Sequence, residues 1–218
     1  MTDLFRRQGY RYAKVHTGLD PAHGPARAEY RNAGLRLGVT NSVYLNYLDE
    51  VAHIPLPGDV EFRPAAPRDA ETVGQLVRDA WAGVYEEARR TLGEALFAVA
   101  LAGAVERRVD EVAALARDFP ERLRLAVSAG RAIGFCAWRE DAAKGLGTIE
   151  AAGVAPESRN RGVGAALCVD ALALFRQRGL RYGQLMARPG ELSERLRRLC
   201  WNVGLYRELP SIDYHMHL

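Results

Sequence analysis

Lysine is nearly missing from this chain of 218 residues: Lys14 and Lys144 are the only two, so the 30 basic residues are almost all arginine. They stand among 27 acidic residues, for a net charge of +3. No basic stripe of the kind that tracks a nucleic-acid backbone results, and nucleic acid is excluded as the expected partner. Arginine in place of lysine reads as a bias of composition rather than a phosphate-binding device. Long hydrophobic runs are missing too. The longest, residues 95–105, lies between Glu94 and Glu106 and falls short of the roughly 20 residues that cross a bilayer, so no membrane span is expected. The opening Met-Thr-Asp carries no basic-then-apolar leader, which argues against export. Cysteine is scarce: Cys136, Cys168 and Cys200 leave one thiol over in any disulfide scheme, and no Cys/His spacing suggests structural zinc. A cytoplasmic home and no metal are the expectations. What is present is 48% hydrophobic and 26% charged residues, enough to bury a core, over a length of about one and a half average domains.

That fraction has a counterpart within the chain. Sliding the sequence against itself by 170 positions aligns residues 1–48 with 171–218 without a gap. Leu4, Phe5, Arg6, Gly9, Arg11 and Tyr12 meet Leu174, Phe175, Arg176, Gly179, Arg181 and Tyr182. Arg27, Asn32, Gly34, Leu35, Tyr44 and Leu48 meet Arg197, Asn202, Gly204, Leu205, Tyr214 and Leu218. The chain is therefore read as a half copy (1–48), a linker (49–58) marked by Pro55, Pro57 and Gly58, and a complete copy (59–218).

In the complete copy, residues 60–63 read as a strand, and Asp69 as the N-cap of a helix through Val73, Leu76, Val77 and Trp81. Helical stretches follow over 86–117, with a break near Pro120. Residues 123–127 alternate apolar with polar and read as a strand, a hairpin turn is expected at 128–131, and residues 132–139 return as the next strand. A further strand is expected at 147–154, a helix at 164–177, a strand at 182–187, a helix at 191–203 closed by Gly204, and a last strand at 211–218.

The stretch 152–165 runs from a strand through a tight loop into a helix. Free backbone N–H groups and the positive end of the helix dipole converge there, which suits an anionic pyrophosphate, and Gly162 and Gly164 let phosphate oxygens approach the main chain. It is not a nucleotide-triphosphate loop, because Ala165 and Ala166 stand where Lys-Ser/Thr is needed, nor a dinucleotide fingerprint, because Leu167 takes the third glycine position.

Here the sequence resembles the GNAT superfamily of acetyl-CoA-dependent N-acetyltransferases. Arg159, Gly162 and Gly164 match its Arg/Gln-x-x-Gly-x-Gly/Ala hallmark, with Val154, Pro156 and Glu157 as the usual lead-in, and the likeness runs over 59–218. Residues 1–48 look like the C-terminal half of the same family. The resemblance implies an α/β (α+β) fold whose mixed, mostly antiparallel sheet is flanked by helices. It further implies a V-shaped splay between the fourth and fifth strands of the complete copy, which takes the pantetheine arm. Main-chain groups at Ala152, Gly153 and Val154 would pair with that arm. Arg159 and the backbone of Arg161, Gly162, Val163, Gly164 and Ala165 would hold the pyrophosphate.

The implied reaction is attack of a neutral amine on the acetyl carbonyl, which needs a base and some means of stabilising the departing thiolate. Glu150 is the candidate base, an even number of residues before Ala152 and Val154 and so on their face of the strand; an ion-paired surface glutamate is the alternative. The family's acid, a helix tyrosine four residues before a Gly-Leu or Gly-Phe step, is replaced by Cys200, for which core packing is the alternative. The half copy keeps the tyrosine as Tyr30. Tyr206 and Tyr214 are possible substitutes for the acid, while His215 and His217 share a strand face without a third metal ligand in view. The expected acceptor is an amine of a small molecule, amino acid or peptide. The other reading is a CoA-binding protein of weak catalytic power, in which the half repeat serves oligomerisation. The half copy needs a partner for its strands, on its own chain or on a second one, and a homodimer is favoured.

Overall fold

The computed structural model describes residues 2–51, 53–55, 57–187 and 191–217. Its elements are α1 (Thr2–Arg7), β1 (Tyr12–Gly18), α2 (Gly24–Asn32), β2 (Arg36–Tyr47), β3 (Glu61–Pro64), α3 (Ala70–Leu92), α4 (Glu94–Ala100), α5 (Ala104–Asp118), β4 (Leu123–Ser128), β5 (Arg131–Asp141), β6 (Leu146–Val154), α6 (Val163–Gln177), β7 (Tyr182–Ala187), α7 (Glu191–Asn202) and β8 (Arg207–His217). The eight strands form one sheet in the order β1-β8-β2-β7-β6-β5-β4-β3. Every neighbour pair is antiparallel except β6 and β7, which run parallel.

Burial explains the choice of elements. In β5 residues 133–138 are all buried, the near-continuous apolar run of a strand covered on both faces. One face meets α6 and α7 through a core that includes Trp138, Leu167, Leu172, Phe175 and Leu205. The other meets α3 and α5 through Val73, Val77, Val112, Leu125 and Phe135. The β4–β5 turn puts Ala129 and Gly130 at φ 48° and 76°, the primed hairpin geometry expected at 128–131. Several sequence expectations move. The helix through Val73 and Trp81 runs on to Leu92 before Gly93 stops it. The last strand begins at Arg207, four residues early. Asp69 precedes α3 but makes no side-chain cap bond. Its carboxylate turns back to accept two 2.7 Å bonds from Arg63 and one from the Ala66 N–H.

Residues 12–47 fold as a strand-helix-strand unit preceded by α1, and its strands join the sheet of their own chain. β2 lies between β7 and β8, and β1 lies beyond β8. Tyr44 and Leu48 are 2% and 3% exposed within the core beneath α6 and α7. β2 is thus paired on both sides, while β1 pairs only with β8 and forms one edge of the sheet.

Candidate active site

The one parallel pair defines the site. Pairing of β6 with β7 runs from Leu146↔Tyr182 to Ile149↔Leu185 and stops, although β6 continues to Val154 and β7 to Ala187. Beyond that point the two strands diverge. The main chain of β6 on the β7 side is then without a ladder partner, as a strand edge able to pair with an extended ligand must be. The pairing stops where β6 carries a bulge: Ala137↔Ala151 is followed by Trp138↔Ile149, so Glu150 is the extra residue. The bulge corrects the face assigned to Glu150. Ile149, Ala152 and Val154 pack in one core and Ala151 in the other, so counting in twos from Val154 fails across the inserted residue. Glu150 is exposed and accepts a 2.6 Å bond from Arg139 Nε.

From the open end of the splay a cleft of about 550 Å³ extends over the start of α6. Eight of the nine residues expected at a cofactor site line it: Ala152, Gly153, Val154, Arg159, Gly162, Val163, Gly164 and Ala165. The ninth, Arg161, points elsewhere and pairs with Asp59, which holds the Asp59 carboxyl below its usual range. Gly162 has φ +81°, and a Cβ there would meet nothing within 4 Å. The first N–H bonded inside α6 is that of Ala166, to Gly162 O at 3.0 Å, leaving the preceding amides of the turn to face the cleft. Gly153 has a different reason to be glycine: a Cβ would lie 2.5 Å from Ala80 Cβ, so its absence lets α3 close on β6. Arg159 braces the loop, donating to Val154 O and to Asp79 O of α3, both at 3.1 Å. The free edge of β6 beside the helix start of α6, whose first amides have no intrahelical acceptor, fits an acyl-CoA thioester. Sequence reasoning missed Ala80, Ser158, Asn160, Arg198, Leu199 and Asn202, which also line the cleft. The spacing 198, 199 and 202 on α7 is a helical face that could have pointed to three of them.

The expected proton donors lie off the cleft lining. Cys200 is fully buried between α7 and the sheet, and desolvation, followed by the nearby Cys168 thiol, pushes its own thiol well above the ordinary range. The packing alternative is the one its surroundings fit. Tyr206 is half exposed and donates to Glu50. Tyr30 packs against Tyr214, ring centroids 5.6 Å apart, in a small core of its own with Leu35 and Ile212. The His215 ring bonds Tyr12, the His217 side chain lies outside the described residues, and no cluster among the described residues suits a metal.

The splay and cleft belong to a fold found in solved N-acetyltransferases. The chain is similar to a GCN5-related N-acetyltransferase from Sphaerobacter thermophilus, at 20% identity and a TM-score of 0.69 over 98% of this chain and 64% of that one. A GCN5-related N-acetyltransferase from Kribbella flavida aligns at 14% identity and 0.60, over 98% and 71%. A tandem GNAT protein from the clavulanic acid biosynthesis pathway aligns at 14% and 0.63, over 99% and 66%. The chain thus spans about two thirds of the length of such structures. No curated protein matches it. The profile of the acetyltransferase (GNAT) family matches residues 81–190, and the chain belongs to that family.

Proposed function

We propose that this chain transfers an acetyl group from acetyl-CoA to a primary amine of a small molecule, amino acid or peptide. The observation that carries this reading is the parallel pair that ends at Ile149↔Leu185 and opens onto the glycine-bearing start of α6. Main-chain groups of Ala152, Gly153 and Val154 align the pantetheine arm. The amides from Arg161 to Ala165 hold the pyrophosphate, with Arg159 bracing their loop. Glu150, extruded by the bulge at the first unpaired position, takes the proton from the acceptor ammonium, directly or through a water. The neutral amine attacks the acetyl carbon, the C–S bond breaks, CoA leaves as thiolate, and the second proton shed by the nitrogen passes to solvent or to that thiolate.

Burial of Cys200 favours a second reading, a CoA-binding protein with slow chemistry, because no tyrosine of α7 stands at the cleft to protonate that thiolate. Release of free thiol from acetyl-CoA across a panel of amines decides between them. Turnover with one amine supports the transferase, and tight acetyl-CoA binding without turnover on any supports the binding protein.

In this reading residues 1–48 are the C-terminal half of a second copy, 49–58 a linker and 59–218 the catalytic domain. The strand registers support it. Tyr12↔His217 through Thr17↔Ile212 and Tyr182↔Tyr47 through Ala187↔Ser42 correspond, pair for pair, under the same offset of 170 positions that aligns the sequences. The pair Asn41↔Ser211 maps onto itself, as the centre of a two-fold repeat does.

A further inference from the structure

Resting on the acetyl-CoA reading, we infer that Arg198 is the side-chain counter-ion of the donor's pyrophosphate, and that it exchanges Glu194 for phosphate when the donor binds. Only two cations stand among the described residues that line the cleft, Arg159 and Arg198. The Arg159 guanidinium is committed to the carbonyls of Val154 and Asp79. Arg161, the cation nearest to the loop in sequence, is turned to Asp59. Arg198 is held loosely by comparison. Its Nε is 3.5 Å from Glu194, whose close partner is Arg197 at 2.7 Å, and its side chain is 76% exposed.

Placement puts it within reach of the anion position. Leu199, its neighbour, approaches to 3.6 Å of where a Cβ on Gly164 would stand, so α7 touches α6 at its first turn. An arginine one residue earlier, on the cleft side, can lay its fork across that turn. The amides there supply partial charges only, and two full negative charges call for a cation that can leave a weak partner.

The test is calorimetric titration of the full chain with CoA and with dephospho-CoA at several salt concentrations. Arg198→Gln should weaken both ligands by about tenfold or more and flatten the salt dependence, while circular dichroism stays that of the wild type. Arg122→Gln, an arginine off the cleft beside Glu121 and the Phe119 ring, should stay within about twofold. Glu194→Gln, which removes the competing carboxylate, should bind CoA at least as tightly as the wild type. Unchanged CoA affinity in Arg198→Gln beside a wild type that binds overturns the inference. So does a loss seen with CoA and absent with dephospho-CoA, which would move Arg198 to the 3′-phosphate, and so does weaker binding in Glu194→Gln. Failure of the wild type to bind CoA at all overturns the donor reading itself, a result that no variant alone can produce.

Discussion

Gly162 is glycine for two separable reasons, its left-handed backbone at φ +81° and the open space on its α-carbon. Gly162→Ala isolates the first and should lower stability by about 1 kcal/mol, with acetyl-CoA still bound. Gly162→Glu places a carboxylate at the proposed pyrophosphate site, and repulsion at that distance should weaken acetyl-CoA by at least about tenfold. Calorimetry that finds equal affinity in the Glu variant removes the cleft assignment. Glu150 is a question of chemistry more than of stability. Its bond to Arg139 joins two partly exposed side chains, a pairing worth about 0–1 kcal/mol, so Glu150→Gln should melt like the wild type. A residue acting as base should nonetheless lose roughly 10²-fold in kcat with unchanged donor binding. Undiminished turnover would leave it as an ion-paired surface residue.

At the scale of elements, the junction of β3 with α3 fixes the wall of the cleft, since Asp79 and Ala80 of α3 meet Arg159 and Gly153. Asp69 ties that junction, and its bonds from Arg63, with one from the Ala66 N–H, outweigh desolvation and hold its carboxyl below the usual value. A depressed folded value means that the stabilisation is present above the unfolded pKa, about 3.9, and is lost as the pH falls through the folded one. Urea unfolding should therefore find Asp69→Asn less stable than wild type by roughly 1–3 kcal/mol at pH 7, with the gap closing below pH about 4. An equal gap at pH 7 and pH 3 would contradict the tie.

The same elements mark what could be read in advance. The bounds of β7 and the loop into α6 follow from local chemistry, alternation and glycine, and all but Arg161 of the residues expected there line one cleft. The bulge at Glu150 does not, because an inserted residue leaves composition unchanged while it reverses the faces beyond it. Pro210 fits inside β8 because it lies one residue past the last β1 pair, Gly18↔Ser211, and takes part there only through its carbonyl, which accepts from the Leu19 N–H at 3.0 Å. Nor does any pattern say that β2 takes β7 as neighbour and leaves β1 to β8.

That exchange of neighbours governs the whole molecule. β2 separates β7 from β8 and fills both ladders, with Ser42 facing Ala187 on one side and Pro210 on the other. The Asn46 side-chain amide donates to Gly204 O at 2.7 Å, fastening the turn between α7 and β8. Tyr44 and Leu48 sit in the same core as Leu167, Leu172 and Phe175, under the helix that begins at the cleft. Losing one buried side chain of this size costs about 2–5 kcal/mol, against a total stability of about 5–15 kcal/mol for a domain. Removal of two, with a ladder strand, leaves nothing in reserve. The chain lacking residues 1–52 should therefore fail to fold by itself, appearing in the insoluble fraction or without a cooperative thermal transition. Residues 1–52 supplied as a separate segment should restore solubility and acetyl-CoA binding together. If the shortened chain instead melts cooperatively near the wild-type Tm, β8 must have moved across to β7, and the N-terminal segment would be an accessory to the catalytic domain rather than part of its core.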